Sequence, residues 1–154
     1  MASQPERRGG RPKARETVMR VLYEAEVTGD DPRELLALAF GRLRMTEEGR
    51  RYAEELLRAC HRNLARIDAR IQAALRNWEL ARLGKVERAI LRMAAAELFF
   101  QPDVPVKVVL DEALRLARRY GDPKSAGFVN GVLDALAGKA RSKEIKSIRP
   151  KPEP

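Results

Sequence analysis

The chain has one cysteine, Cys60, and one histidine, His61, among 154 residues. A single thiol excludes an internal disulfide and fits a reducing compartment. One His and one Cys cannot assemble a metal site of the His/Cys type, so neither a metal nor another cofactor is expected. The two residues are adjacent, so on a helix they point about 100° apart and do not form a nucleophile–base pair. Cys60 falls on an apolar stripe and reads as a small core residue. His61, just off that stripe, reads as a surface residue. Aromatic residues are only 5% of the chain, so aliphatic side chains and alanine must fill the interior. No apolar run approaches the ~18 residues of a membrane span. The basic N-terminus is not followed by the apolar segment of a secretory signal. The expected location is therefore the cytoplasm, with no membrane partner. Gly9 and Gly10 lie in a basic N-terminal stretch and the other glycines are scattered, so no phosphate-cradling loop is formed. Adjacent carboxylates such as Glu47-Glu48, Glu54-Glu55 and Asp111-Glu112 read as solvated charges. Nothing in the chain reads as a catalytic site.

What the chain has in excess is positive charge, a formal net +9, and it is unevenly placed. Residues 1–15 carry Arg7, Arg8, Arg11, Lys13 and Arg15 against Glu6, a net of +4. Residues 138–154 carry six basic residues against Glu144 and Glu153, again +4, which leaves the body between them nearly neutral. Basic ends on a neutral body point to a polyanion, most often a nucleic acid. A solubilising role for the same tails stands beside that reading. The expected division is a basic arm over 1–12, a helical domain over 13–137 and a basic, disordered tail over 138–154.

Seven helical segments and no strand follow from the periodicity. The first runs from about Lys13 to Thr28 and stops at Gly29. The second opens on Asp31 as N-cap with Pro32 at the first helical position. The third starts after Thr46. The apolar phase then continues through Leu64, Ile67, Ile71, Leu75 and Trp78, and a break near Asn63, with Asp68 as a candidate cap, separates the third helix from the fourth. The fifth covers Lys85 to Phe100, the sixth Val106 to Tyr120, and the seventh follows the turn Asp122–Ser125 to about Leu136. The fold class is an all-α bundle in a single domain.

The sharpest local feature is Phe128-Val129-Asn130-Gly131-Val132-Leu133-Asp134. Asn-Gly between apolar residues is normally a hairpin signal. Here the apolar positions Phe128, Val129, Val132, Leu133 and Leu136 keep helical spacing instead. A glycine inside a helix costs about 1 kcal/mol relative to alanine. Gly131 therefore serves either close helix packing or access of a ligand to the face that carries Asn130. Asn130 can pair with base edges or cap local backbone, and Phe128 can belong to the core or offer a stacking ring. Tyr23, two helical turns after Arg15, is either a stacking ring on the same side or a buried tyrosine. Lys124-Ser125 opens the last helix, where backbone N–H groups favour phosphate.

Pro105-Val106-Lys107-Val108-Val109-Leu110-Asp111-Glu112-Ala113, Leu116-Ala117, Tyr120-Gly121, Ser125 and Phe128 to Asp134 together resemble the C-terminal half of the NusB family of bacterial transcription antitermination factors. Ala14-Arg15-Glu16 with Leu22-Tyr23 resembles its N-terminal signature. Trp78, Leu83-Gly84, Val86 to Arg92 and Glu97-Leu98 resemble its central helix. The resemblance implies a factor that binds boxA-type single-stranded RNA together with the small-subunit ribosomal protein NusE, within an antitermination complex of RNA polymerase. It implies an RNA face made of Arg7, Arg8, Arg11, Lys13, Arg15, Tyr23, Lys124, Ser125, Phe128 and Asn130. It implies a NusE face around Leu83, Glu87 and Leu91. The chain departs from the family pattern at Arg20, often Gln, at Ala96, usually aromatic, at Asp111, commonly Asn, and at Lys124, in a loop that is acidic in some relatives.

Two other classes compete. A similar helical domain precedes the catalytic domain of a ribosomal RNA cytosine methyltransferase, but about 17 residues after the helical domain leave no room for such a domain. A helical protein-interaction module with incidental basic arms is the alternative, and it should show no preference for a boxA-like strand over a scrambled one.

Overall fold

In the computed structural model, which describes residues 10–141, seven α-helices and one short 3₁₀ turn are joined by brief connections. They are α1 (Arg11–Thr28), α2 (Pro32–Arg42), α3 (Glu47–Arg62), α4 (Leu64–Ala74), α5 (Lys85–Phe100), α6 (Val106–Tyr120) and α7 (Ser125–Ala140), with the 3₁₀ turn Leu80–Arg82 before α5. The expected all-α bundle is the observed one, with no strand among the described residues.

Local chemistry explains the boundaries. Gly29 ends α1 in the left-handed region (φ 81°), and its N–H returns to the Ala25 carbonyl. The Asp31 carboxylate accepts from the Arg33 N–H at 2.9 Å and caps α2. The side chain and backbone N–H of Arg33 hold that carboxyl down at about 2. The Thr46 hydroxyl accepts from Gly49 N–H at 2.9 Å and starts α3. The break between α3 and α4 falls at Asn63, whose side-chain amide donates to the Ala59 carbonyl at 2.8 Å. Asp68 does not cap α4. It lies inside that helix and pairs with Arg92 through two bonds of 2.8 Å.

Three boundaries differ from the sequence reading. α4 stops at Ala74, so Trp78, in phase by sequence, lies outside it and is 59% exposed. The Gln72 side chain holds that turn, donating to Trp78 O and accepting from Leu80 N–H, both at 2.9 Å. α1 starts at Arg11, and α7 continues through Gly138 to Ala140. Arg11 and Pro12 therefore belong to the bundle, whereas Arg7, Arg8 and most of the basic tail lie outside the described residues.

α5 is the central helix and packs against α1, α3, α4, α6 and α7. Ile90, Leu91, Ala94, Ala95 and Ala96 on it are fully buried. With Ala14, Ala53, Ala113, Ala117 and Ala137 from its neighbours, they form the alanine-rich core that scarce aromatics require. Cys60 lies in this core, where burial pushes its thiol up to about 12. A polar cluster crosses the same interior. Arg15 (0% exposed) pairs with Glu97 (1%) through Nε at 2.8 and 3.0 Å, and the Tyr52 hydroxyl also donates to Glu97. At the far end of α5, the buried Arg141 donates to the carbonyls of Leu98, Gln101 and Val104 at 2.7–2.8 Å. It thus satisfies acceptors that a helix C-terminus leaves open.

Candidate nucleic-acid interface

Tyr23 is 39% exposed and borders a groove of about 440 Å³ whose other walls include Arg20, Val86 and Tyr120. A second depression, of about 460 Å³, is bounded by Trp78, Leu83, Glu87, Lys124 and Phe128. The two adjoin at the first turn of α5, through Val86 and Glu87, and at the corner between α6 and α7. Of the candidate RNA residues, Tyr23, Lys124, Ser125 and Phe128, and of the candidate NusE residues, Leu83 and Glu87, therefore line neighbouring parts of one surface. Arg20 and Lys124, both departures from the family pattern, are exposed on it.

The corner is built by local hydrogen bonds. The Asp122 carboxylate accepts from Lys124 N–H at 2.8 Å, and Asp122 N–H donates to Ser125 Oγ at 3.0 Å. The Asp122 carboxylate thus takes the N–H of Lys124, just before α7, and no side chain caps the first turn of that helix. Ser125 is 3% exposed, and its hydroxyl donates to Glu87 Oε1 at 2.5 Å. Ser125 thus positions Glu87 and does not itself present a contact. Gly121 makes this approach possible, since a Cβ there would come within 2.8 Å of the Ala117 carbonyl and 2.6 Å of Ser125 Cβ. Gly121→Ala is expected to lower stability by about 2 kcal/mol through overpacking, measured by urea unfolding. Wild-type stability would show that the corner yields freely.

Several expected contacts are corrected. Arg15 cannot reach a phosphate, because it is fully buried against Glu97. Its offset from Tyr23 explains this: eight residues advance a helix by about 80° beyond two turns, so the two side chains diverge. Leu91 is 0% exposed and belongs to the core, not to a partner face. Arg11 sits 4.4 Å above the Tyr52 ring and 3.5 Å from Asp103, and Lys13, though exposed, donates to the Arg44 carbonyl. Glu112 is buried and bonded to Arg115 at 2.9 Å, so it is not the solvated charge its sequence position suggested.

Gly131 is exposed, and nothing lies within 4 Å of where its Cβ would be; Gly127, one turn earlier, is equally open. Close helix packing does not account for either. Asn130 is exposed beside them, and Phe128 is half-buried, so its ring serves the core on one side and the groove on the other. Trp78 and Tyr120 also line these grooves, although sequence reasoning gave neither a role in the site. Trp78 kept the helical phase, which hid its exposure. Tyr120 ended an amphipathic helix like any capping residue.

Among the described residues no group of three or more His, Cys, Asp or Glu is placed to hold a metal ion, and no helix is long and apolar enough to cross a membrane. The sequence profile of the NusB family matches residues 12–138. The transcription antitermination protein NusB of Sorangium cellulosum is 40% identical over 129 residues, covering 84% of this chain and 92% of that protein. Its counterpart from Bacillus licheniformis is 41% identical over 123 residues, covering 80% and 92%. The solved structure of T. maritima NusB superposes with a TM-score of 0.79 at 32% identity, over 95% of this chain and 99% of that one. A solved complex of the antitermination factors NusB and NusE with dsRNA contains a chain similar at a TM-score of 0.76 and 33% identity, covering 84% and 96%. Continuous similarity over nearly the whole helical bundle, in sequence and in structure, places this chain in the NusB family.

Proposed function

We propose that the protein is an RNA-binding transcription antitermination factor. It binds a boxA-type single-stranded RNA together with ribosomal protein NusE and promotes read-through by RNA polymerase, notably in ribosomal RNA operons. It acts by assembly in the cytoplasm and carries out no catalytic step. The observation that carries this reading is the convergence of Tyr23, Arg20, Lys124 and Phe128 on adjoining grooves, with Asn130 exposed two residues beyond Phe128. Exposed rings beside cations and an amide suit unpaired bases, which stack on aromatics and are read along their edges. Glu87, held by Ser125 at the border of the same surface, is the charged centre of the NusE face, with Leu83 beside it.

Titrating boxA and scrambled RNA, with and without NusE, tests the reading. A preference for boxA that NusE strengthens is expected, and equal affinity for both strands would leave only an interaction module. The glycine face gives a sharper result. Gly131→Ala should raise stability by about 1 kcal/mol, because alanine is the better helix former and the site is open. If the bare face admits RNA backbone, the same change lowers boxA affinity. Asn130→Ala should leave stability within about 0.5 kcal/mol and lower boxA affinity roughly tenfold or more, the scale of one lost base contact. A more stable Gly131→Ala protein with wild-type boxA binding would remove that face from the site.

A further inference from the structure

Away from the grooves just described, α3 and α4 carry Arg58, Arg62, Arg66 and Arg70, all exposed and spaced four residues apart across the break at Asn63. Like charges at this spacing repel, by about 0.2–0.5 kcal/mol per pair on one helix. The protein supplies little to offset it. Asp68 is taken by Arg92, and Asp31 by Arg33. Glu54 and Glu55 are exposed before Arg58, and no ion pair joins either to it. The ladder extends at most about 18 Å at the helical rise per residue.

Apolar depressions flank both ends. Arg58 and Arg62 border a groove of about 380 Å³ over Leu36, Phe40 and Leu57, with Glu54 as its single carboxylate. Arg66 and Arg70 border a smaller cleft with Phe99 and Phe100, where the Arg70 guanidinium lies 5.8 Å from the Phe99 ring centre. Arg141 is fixed to backbone carbonyls at that same end of α5.

We propose that this arginine ladder is a second RNA track, which takes the sugar–phosphate backbone of single-stranded RNA flanking the boxA-type element, with the Arg70–Phe99 cleft as a place for an unpaired base. Cations alternating with ring faces are the chemistry of sequence-tolerant single-strand binding. The inference rests on the proposed function only in taking RNA as the polyanion. No residue lining its two depressions lines the Tyr23 or Phe128 groove.

The test compares a 12-nucleotide boxA-type RNA with a 40-nucleotide RNA carrying the same element and unstructured flanks. The full-length protein and its Arg58→Ala/Arg62→Ala/Arg66→Ala/Arg70→Ala variant are titrated against both. A triple variant that keeps Arg70, and so the cover of Phe99, guards against loss of folding. Wild-type protein should bind the longer RNA more tightly. The quadruple variant should bind the short RNA within twofold of wild type, bind the long RNA at least tenfold more weakly, and show a salt slope for the long RNA reduced by about 2–3, at roughly 0.7 per lost phosphate contact. The triple variant should show most of that change. Equal wild-type affinity for the two RNAs, or unchanged long-RNA affinity and slope in the variants, overturns the proposal. So does loss of binding to poly-glutamate with RNA binding unchanged, which would make the ladder a protein-docking surface. Tyr23→Ala with wild-type binding of the short RNA would instead count against the proposed function, because the ladder is read from the difference between the two RNAs.

Discussion

Arg15→Ala is expected to destabilise the protein by about 3–5 kcal/mol, the cost of breaking a buried ion pair from one side. Arg15 and Glu97 are 0% and 1% exposed and meet at 2.8 and 3.0 Å. Without the guanidinium, Glu97 keeps the Tyr52 hydroxyl as a donor but loses its two charge-assisted bonds from Arg15 in a site closed to water. Burial, then the Glu97 charge, holds the Tyr52 phenol far above its ordinary range, so it remains a neutral donor and cannot replace a cation. The loss should appear as a fall in the urea midpoint. The companion double variant, Arg15→Met with Glu97→Leu, should recover much of the stability, because apolar side chains of similar size remove the desolvation cost along with the attraction. RNA affinity, corrected for the folded fraction, should stay at the wild-type value. A stable Arg15→Ala protein with weakened RNA binding would restore Arg15 to the RNA face.

This pair marks where the sequence stops being readable. The bundle was legible because its signals are local: Gly29, Asp31, Thr46 and Asn63 act on backbone groups within four residues of themselves, and each does in the structure what its type suggests. Arg15 in a basic N-terminal stretch looks like a phosphate contact. Only the arrival of Glu97 from 82 positions away makes it an interior residue. Leu91 beside Glu87 looked like part of a partner face for the same reason: helical neighbours about 40° apart over four residues can still fall on opposite sides of a burial boundary. The glycines show the complementary limit. Gly121 follows the last residue of α6 and Gly131 lies inside α7, and residue type does not tell that one lies against the Ala117 carbonyl while the other faces open space. Tyr23, Lys124 and Asn130 are exposed, as residues expected to meet RNA must be.

The Glu87–Ser125 contact leads to the second large effect. On the proposed NusE face, Glu87→Lys should lower NusE affinity at least about a hundredfold, near 3 kcal/mol, since like charges brought together at an interface cost several kcal/mol. Glu87 accepts from Ser125, and Arg82 and Lys124 line the same depression. A lysine at this position therefore exchanges a fixed carboxylate for a third cation and leaves the Ser125 hydroxyl to Asp122 alone. Glu87→Gln keeps an acceptor for Ser125 and removes only the charge, so it separates geometry from electrostatics. If charge dominates, the glutamine variant lies close to lysine in its loss. If orientation dominates, it lies close to wild type and Ser125→Ala produces the larger defect. RNA binding by the isolated Glu87→Lys protein should be intact or slightly tighter, because the added positive charge lies at the edge of the Lys124–Phe128 groove. Purified NusE captured normally by Glu87→Lys would move the partner face elsewhere. A parallel loss of boxA RNA binding would instead mean that Glu87 fixes the α6–α7 corner on which both faces depend.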